Sequence, residues 1–117
     1  MQTERAIADG LNLAERSGLG LFHIELLCER AELLLALGDA ARAEQTARDA
    51  LQRASDPKCA FAWGAAEAGH LLGQALVDAG RHAEARTILS ETLDLRRSLG
   101  HPGANLTERV LARLPTS

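Results

Sequence analysis

Residues 69–89 read Gly69-His70-Leu71-Leu72-Gly73-Gln74-Ala75-Leu76-Val77-Asp78-Ala79-Gly80-Arg81-His82-Ala83-Glu84-Ala85-Arg86-Thr87-Ile88-Leu89. Small and apolar residues recur here at three- and four-residue intervals on both sides of Gly80, the spacing of two helices meeting at a tight turn. Slid against itself by 42 residues, the chain finds a second copy of the pattern. Gly38 falls on Gly80, Leu34 on Leu76, Ala43 on Ala85 and Leu51 on Leu93, while Ala31 meets Gly73 and Leu35 meets Val77. Glu44 meets Arg86, so exposed positions are not held. What repeats is the buried side of a helix pair. The first segment fits as an orphan second helix: Thr3, Ile7, Gly10, Leu11 and Ala14 match Ala43, Ala47, Ala50, Leu51 and Ala54 at a shift of 40.

Punctuation sets the boundaries. Gly18 and Gly20 follow the first segment, Gly38 closes the second, and Asp39 is placed to cap the third. Ser55-Asp56-Pro57 reads as a stop and restart, with Asp56 as N-cap and Pro57 in the first turn, where its missing N–H costs nothing. Gly80 and Gly100 end the next two segments. Helices are expected at about 3–17, 21–37, 40–54, 57–79, 82–99 and 104–113. Ala and Leu make up more than a third of the chain and Val, Ile and Thr are scarce, which favours helix over strand. The whole, residues 1–117, is one domain: a half repeat at 3–17, repeats at 21–54 and 57–99, and a terminal helix at 104–113. That last helix offers Leu106, Val110, Leu111 and Leu114 as an apolar face suited to closing a stack.

Gly69, Leu72-Gly73, Leu76, Gly80, Ala85 and Leu89 resemble the signature of the tetratricopeptide repeats, with Gly69, Leu76 and Leu89 in place of that family's aromatics. The first unit matches through Leu27, Ala31, Leu34, Gly38, Ala43 and Ala47. The resemblance covers roughly Thr3 to Leu99, with a unit longer than the usual length of about 34 residues. It implies an all-α fold, a short right-handed stack of antiparallel helix pairs, and a non-enzymatic role in binding a protein or peptide. Long units of this kind look like those in helical tails of large bacterial signalling and transcription regulators. A second reading is therefore a C-terminal segment of such a regulator, acting in oligomerisation or autoinhibition.

The family's concave positions, carried onto this sequence, are Glu25, Cys28, Glu29, Glu32 and Ala36 from the second segment and Glu67, His70, Gln74 and Asp78 from the fourth. The spacing of Glu25, Cys28, Glu29 and Glu32 also places them on one helical stripe, beside the apolar stripe Ile24, Leu27, Ala31 and Leu34. An acidic groove for a basic or amphipathic peptide is one reading; a merely solvated charged face is the other. Members of the family that grip a C-terminal carboxylate use Lys, Arg and Asn at such positions, and none stands here. Cys28 and His70 are equivalent under the 42-residue shift, with Glu32 and Glu67 about a turn away, which raises a metal or redox switch. Neighbouring helix axes about 8–10 Å apart argue against it, and no metal or cofactor is expected. His23 is expected at the groove rim, and Phe61 with Trp63 either fills the gap between helices or presents Trp63 as an interface anchor.

Gly64, Gly69 and Gly73 each cost a helix about 1 kcal/mol against Ala, which makes sense only where backbones or side chains pack very closely. Ile7, Leu11 and Leu13 on the unpartnered first helix form a candidate assembly surface, for a second copy or for further repeats.

Other functions lose ground on composition. Thirteen Lys and Arg against sixteen Asp and Glu give a net charge of −3, and aromatics are 3% with no Tyr. Nucleic-acid binding would call for a basic surface or stacking aromatics. Uninterrupted apolar runs such as Leu33 to Leu37 are far short of a membrane span, and Met1 to Ala6 lacks the layout of a signal peptide. Two Cys outside any paired motif fit a reducing, cytoplasmic setting. No phosphate loop, metalloprotease or nucleophile-elbow motif occurs, so no catalytic residue is assigned and enzyme activity is not expected.

Overall fold

Gly38, Gly80 and Gly100 all adopt positive φ, at 79°, 77° and 65°. At each, the residue after the glycine sends its N–H back across the closing turn: Asp39 to the Leu34 carbonyl, Arg81 to Leu76 and His101 to Arg96. This double turn satisfies carbonyls a helix end would leave open, and it reverses the chain in a few residues. The turns thereby set six helices side by side in the computed structural model, which describes residues 4–17 and 20–115, and of 11–17 the backbone alone. The helices are α1 (Glu4–Ser17), α2 (Gly20–Ala36), α3 (Ala40–Ser55), α4 (Ala62–Asp78), α5 (His82–Ser98) and α6 (Ala104–Arg113). The expected helix start at Thr3, and Gly18 behind it, lie outside the described residues.

Helices adjacent in sequence pack on one another, and α2 also packs on α4, so the pairs α2–α3 and α4–α5 stack as repeating units. One apolar core runs through the stack, from Ile7 in α1 through Leu27, Ala47, Leu72 and Leu89 to Leu114 behind α6. On α3 the buried positions are Ala43, Ala47, Ala50 and Ala54, all alanine, which brings its backbone close to its neighbours. Gly69 and Gly73 of α4 act in the same way. A Cβ on Gly69 would lie 2.3 Å from Thr92 Oγ1, and one on Gly73 would lie 2.3 Å from Leu89 Cδ2. The all-α stack expected from the repeat is thus the fold found.

Asp39 caps α3 as expected, its carboxylate accepting the Arg42 N–H at 3.1 Å. The restart at Asp56-Pro57 is different. Asp56 ends α3, its carboxylate takes the Lys58 N–H at 2.8 Å, and its carbonyl takes those of Cys59 and Ala60. Ala60 then turns left-handed, at φ 47°, and Phe61 N–H bonds back to Ala54. One turn forms after Pro57 and stops, so α4 begins at Ala62. The reversal swings Phe61 onto the core beside Ile24, over Gly64, where a Cβ would meet the Phe61 ring at 2.5 Å.

The two ends of the stack also differ from expectation. Ile7 is only 2% exposed, covered by the chain's own core, so it is not an open assembly surface; the side chains of Leu11 and Leu13 lie outside the described residues. On α6, Val110, Leu111 and Leu114 face the core, but Leu106 is 55% exposed and the fully buried residue is Thr107. Thr107, not an aliphatic residue, takes the innermost position of α6, and Leu106 falls off the inward stripe. On the side of α3 and α5, Glu44 and Glu84 each pair with both Arg48 and Arg81, at 2.5–3.0 Å, a closed ring of four charges joining the two repeats.

Candidate acidic groove

Glu25, Glu29 and Glu32 project from α2 into solvent, and Cys28 lies between them but buried, 7% exposed. Alignment along one helical stripe accounts for the first part: positions i, i+4 and i+7 share a face. Cys28 turns slightly further, toward α4. The four residues meet Glu67 of α4 at a cavity of about 490 Å³ whose apolar walls come from Ile24, Phe61 and Trp63. Trp63 is 48% exposed at its mouth, with its ring 4.5 Å from that of His101. The two alternatives for the aromatics are divided between them: Phe61 packs inward, and Trp63 faces outward.

His70 is not in this groove. It is buried under α6, and its Nδ1 lies 3.0 Å from Thr107 Oγ1. Arg96, buried on α5, donates through Nη1 to the same hydroxyl and to the Gly103 carbonyl, both at 2.9 Å, and through Nη2 to Glu67 at 3.0 Å. A guanidinium can only donate, so Thr107 accepts from Arg96, and its own proton has two acceptors in reach, His70 Nδ1 at 3.0 Å and the Gly103 carbonyl at 3.5 Å. Burial, and then the nearby Arg96 charge, push the His70 pKa down to about 4. Burial pushes Arg96 itself below its usual value, against the opposing pull of Glu67. Gln74 and Asp78 leave the groove as well: with Ala36 they line a second cavity of about 600 Å³, closed on its other side by Val110, Arg113 and Leu114. The single groove expected from the repeat is therefore two sites, because α6 lies over the middle of it. His23 is buried rather than at the rim.

The His70 arrangement predicts a pH dependence. The folded pKa lies below the unfolded value of about 6.5, so between pH 6.5 and 4 the unfolded chain binds a proton the folded chain does not. Stability from this residue is present above that window and lost as pH falls through it, at up to about 1.4 kcal/mol per pH unit. Urea midpoints from pH 7 to 4 are expected to fall more steeply for the native chain than for His70→Gln; parallel curves would refute the assignment.

Cys28 is the poorer nucleophile of the two thiols. Burial first, then the charges of Glu67, Glu25 and Glu32, push its pKa up to about 12, which opposes thiolate formation. Cys59 is half-buried in the turn before α4. A thiol reagent at pH 8 is expected to label Cys59 in the folded chain at least tenfold faster than Cys28, followed by mass spectrometry of the peptides. Equal rates would mean that Cys28 is accessible. Among the described residues no group of three or more His, Cys, Asp and Glu is placed to hold a metal ion, so the Cys28–His70 pairing suggested by the repeat does not assemble a site. The two residues do share a role. Each faces the next helix of the stack, Cys28 toward α4 and His70 toward α6.

Sequence reasoning missed Arg96 and Thr107. The signal for Arg96 was present: it continues the buried stripe of Ala85, Leu89, Thr92 and Leu93, and the 42-residue shift lays it on Ala54, a core position. Thr107 carries no comparable mark.

A family model described as tetratricopeptide repeat matches the chain twice, at residues 24–49 and 66–91. The matches begin 42 residues apart and cover most of α2–α3 and of α4–α5. None of the curated proteins and none of the solved structures compared with the chain matches it. No helix among the described residues is long and apolar enough to cross a membrane.

Proposed function

We propose that the chain, which matches the tetratricopeptide repeats over residues 24–49 and 66–91, a family whose repeats generally mediate protein–protein interaction, binds a basic, amphipathic peptide segment of a partner protein along the acidic face of α2. The observation that carries this reading is where the unpaired acids sit. Glu4, Glu44, Asp49, Glu67, Glu84 and Glu108 all form ion pairs with arginines. Glu25, Glu29 and Glu32 form none among the described residues, yet they stand together on one stripe beside an aromatic-walled cavity. Three like charges on one helix face repel each other unless a cation is brought to them. Cationic groups of a partner would relieve that repulsion, while Ile24, Phe61 and Trp63 take its apolar side.

Such binding must weaken with salt, because exposed charge pairs are screened within about 8–10 Å at physiological ionic strength. A synthetic helical peptide with a Lys/Arg face is expected to bind about tenfold more weakly at high than at low ionic strength. The triple variant Glu25→Lys, Glu29→Lys, Glu32→Lys should not bind it at all. All three positions are exposed, so the variant is expected to fold. Binding that ignores both salt and the triple substitution would overturn the reading.

A further inference from the structure

We propose that the α2–α4 cavity is an anchor site for one arginine side chain of the partner, an inference that rests on the reading just given and narrows it to a single guanidinium. Three observations combine. The cavity, about 490 Å³, is large enough for a long side chain and its flanking backbone, and its walls are apolar at Ile24, Phe61 and Trp63. At its edge stand three carboxylates with no cation of their own, Glu25, Glu29 and Glu32. Between them the Cys28 thiol, buried and lining the same cavity, has no hydrogen-bond partner among the described residues. Arg96, which reaches into this region to Glu67, has both terminal nitrogens committed to Glu67, Gly103 and Thr107. The site therefore presents three carboxylates without a cation beside an exposed indole; its own donors, the Trp63 indole N–H and the His101 ring, form no bond to those carboxylates among the described residues.

Arginine fits these features better than lysine. Its guanidinium is planar and weakly hydrated, so it enters an apolar-walled space at lower desolvation cost than an ammonium. It stacks on aromatic faces, and Trp63 gives the strongest such surface of any side chain. Its forked donors can bridge two carboxylates one turn apart, the spacing of Glu25 with Glu29, while the spare N–H groups reach toward the sulfur of Cys28.

The test uses Trp63, the sole tryptophan of a chain without tyrosine, as its own reporter. Two amphipathic peptides of equal length and charge are titrated into the full chain at one salt concentration, one with arginine as its only cation and the other with lysine. The arginine peptide is expected to shift the Trp63 emission and to bind about tenfold tighter than its lysine twin. In Trp63→Leu, followed by calorimetry, the difference should shrink to less than twofold with lysine-peptide affinity unchanged. Glu25→Gln with Glu29→Gln, both at exposed positions, should weaken the arginine peptide more than the lysine one. Equal affinity for the two peptides, or a tenfold difference that survives Trp63→Leu, overturns the arginine anchor and leaves the acidic-groove reading standing. No binding of either peptide overturns both.

Discussion

Replacing Arg96 with methionine is expected to cost about 2–4 kcal/mol of stability and to loosen α6 before the rest of the chain. Arg96 is 2% exposed and its guanidinium joins three helices: Glu67 on α4, its own position on α5, and Gly103 with Thr107 at the start of α6. Breaking a buried ion pair by removing one partner generally costs about 3–5 kcal/mol, because the partner keeps its desolvation penalty without its compensation. The cost here falls toward the lower end, since the Glu67 side chain is 41% exposed and can recover water. The Gly103 carbonyl and the Thr107 hydroxyl cannot do so as easily, and they hold α6 in place. Amide exchange should therefore accelerate in α6 well before α2 and α3. A second readout separates the network from bulk packing. Arg96 helps to push the His70 pKa down, so its removal should raise the His70 midpoint, read by NMR, from about 4 toward its ordinary value. Loss of stability with an unmoved His70 titration would mean that Arg96 acts only by filling space.

The residues legible in the sequence are those whose information is periodic. Gly38 and Gly80 recur at the repeat distance and carry the positive φ their turns require. Ala31, Ala43 and Ala85 recur where backbones approach, and all three are completely buried. The face of α2 was legible for the same reason, since one helix fixes the relative directions of Glu25, Glu29 and Glu32. What the period could not show is where the stack ends. The repeat aligns His70 with Cys28 but does not say what covers each. Cys28 lies against the next full repeat, whereas His70 lies against a short helix whose buried residue is a threonine. That threonine, with Arg96, converts a groove position into a buried polar network and separates Gln74 and Asp78 from the acids of α2. The restart at Ala62 was hidden for a related reason. Asp56-Pro57 has the local chemistry of a helix start, but the burial of Phe61 against Ile24 and Gly64 decides where the helix can begin.

Gly73→Ala is expected to destabilise the chain by about 1–3 kcal/mol, although alanine favours helix over glycine by about 1 kcal/mol. The new Cβ would lie 2.3 Å from Leu89 Cδ2 and 2.4 Å from Leu89 Cγ. The Cγ is a branch point, not a flexible tip, and Leu89 is completely buried, so it has no empty space to rotate into. Relief requires α4 and α5 to move apart, which loosens the contacts around Leu72, Leu76 and Ala85 as well. Gly20 supplies the contrast: a Cβ there meets nothing within 4 Å, so Gly20→Ala should be neutral or slightly stabilising. The decisive variant is the double one. Leu89→Ala alone opens a cavity and should cost about 2–5 kcal/mol. In Gly73→Ala with Leu89→Ala the added methyl group enters space the leucine has vacated, so the loss should fall short of the sum of the single losses by at least about 1 kcal/mol. Strict additivity in urea unfolding would show that the two side chains do not meet, and that Gly73 is not where the two helices lock together.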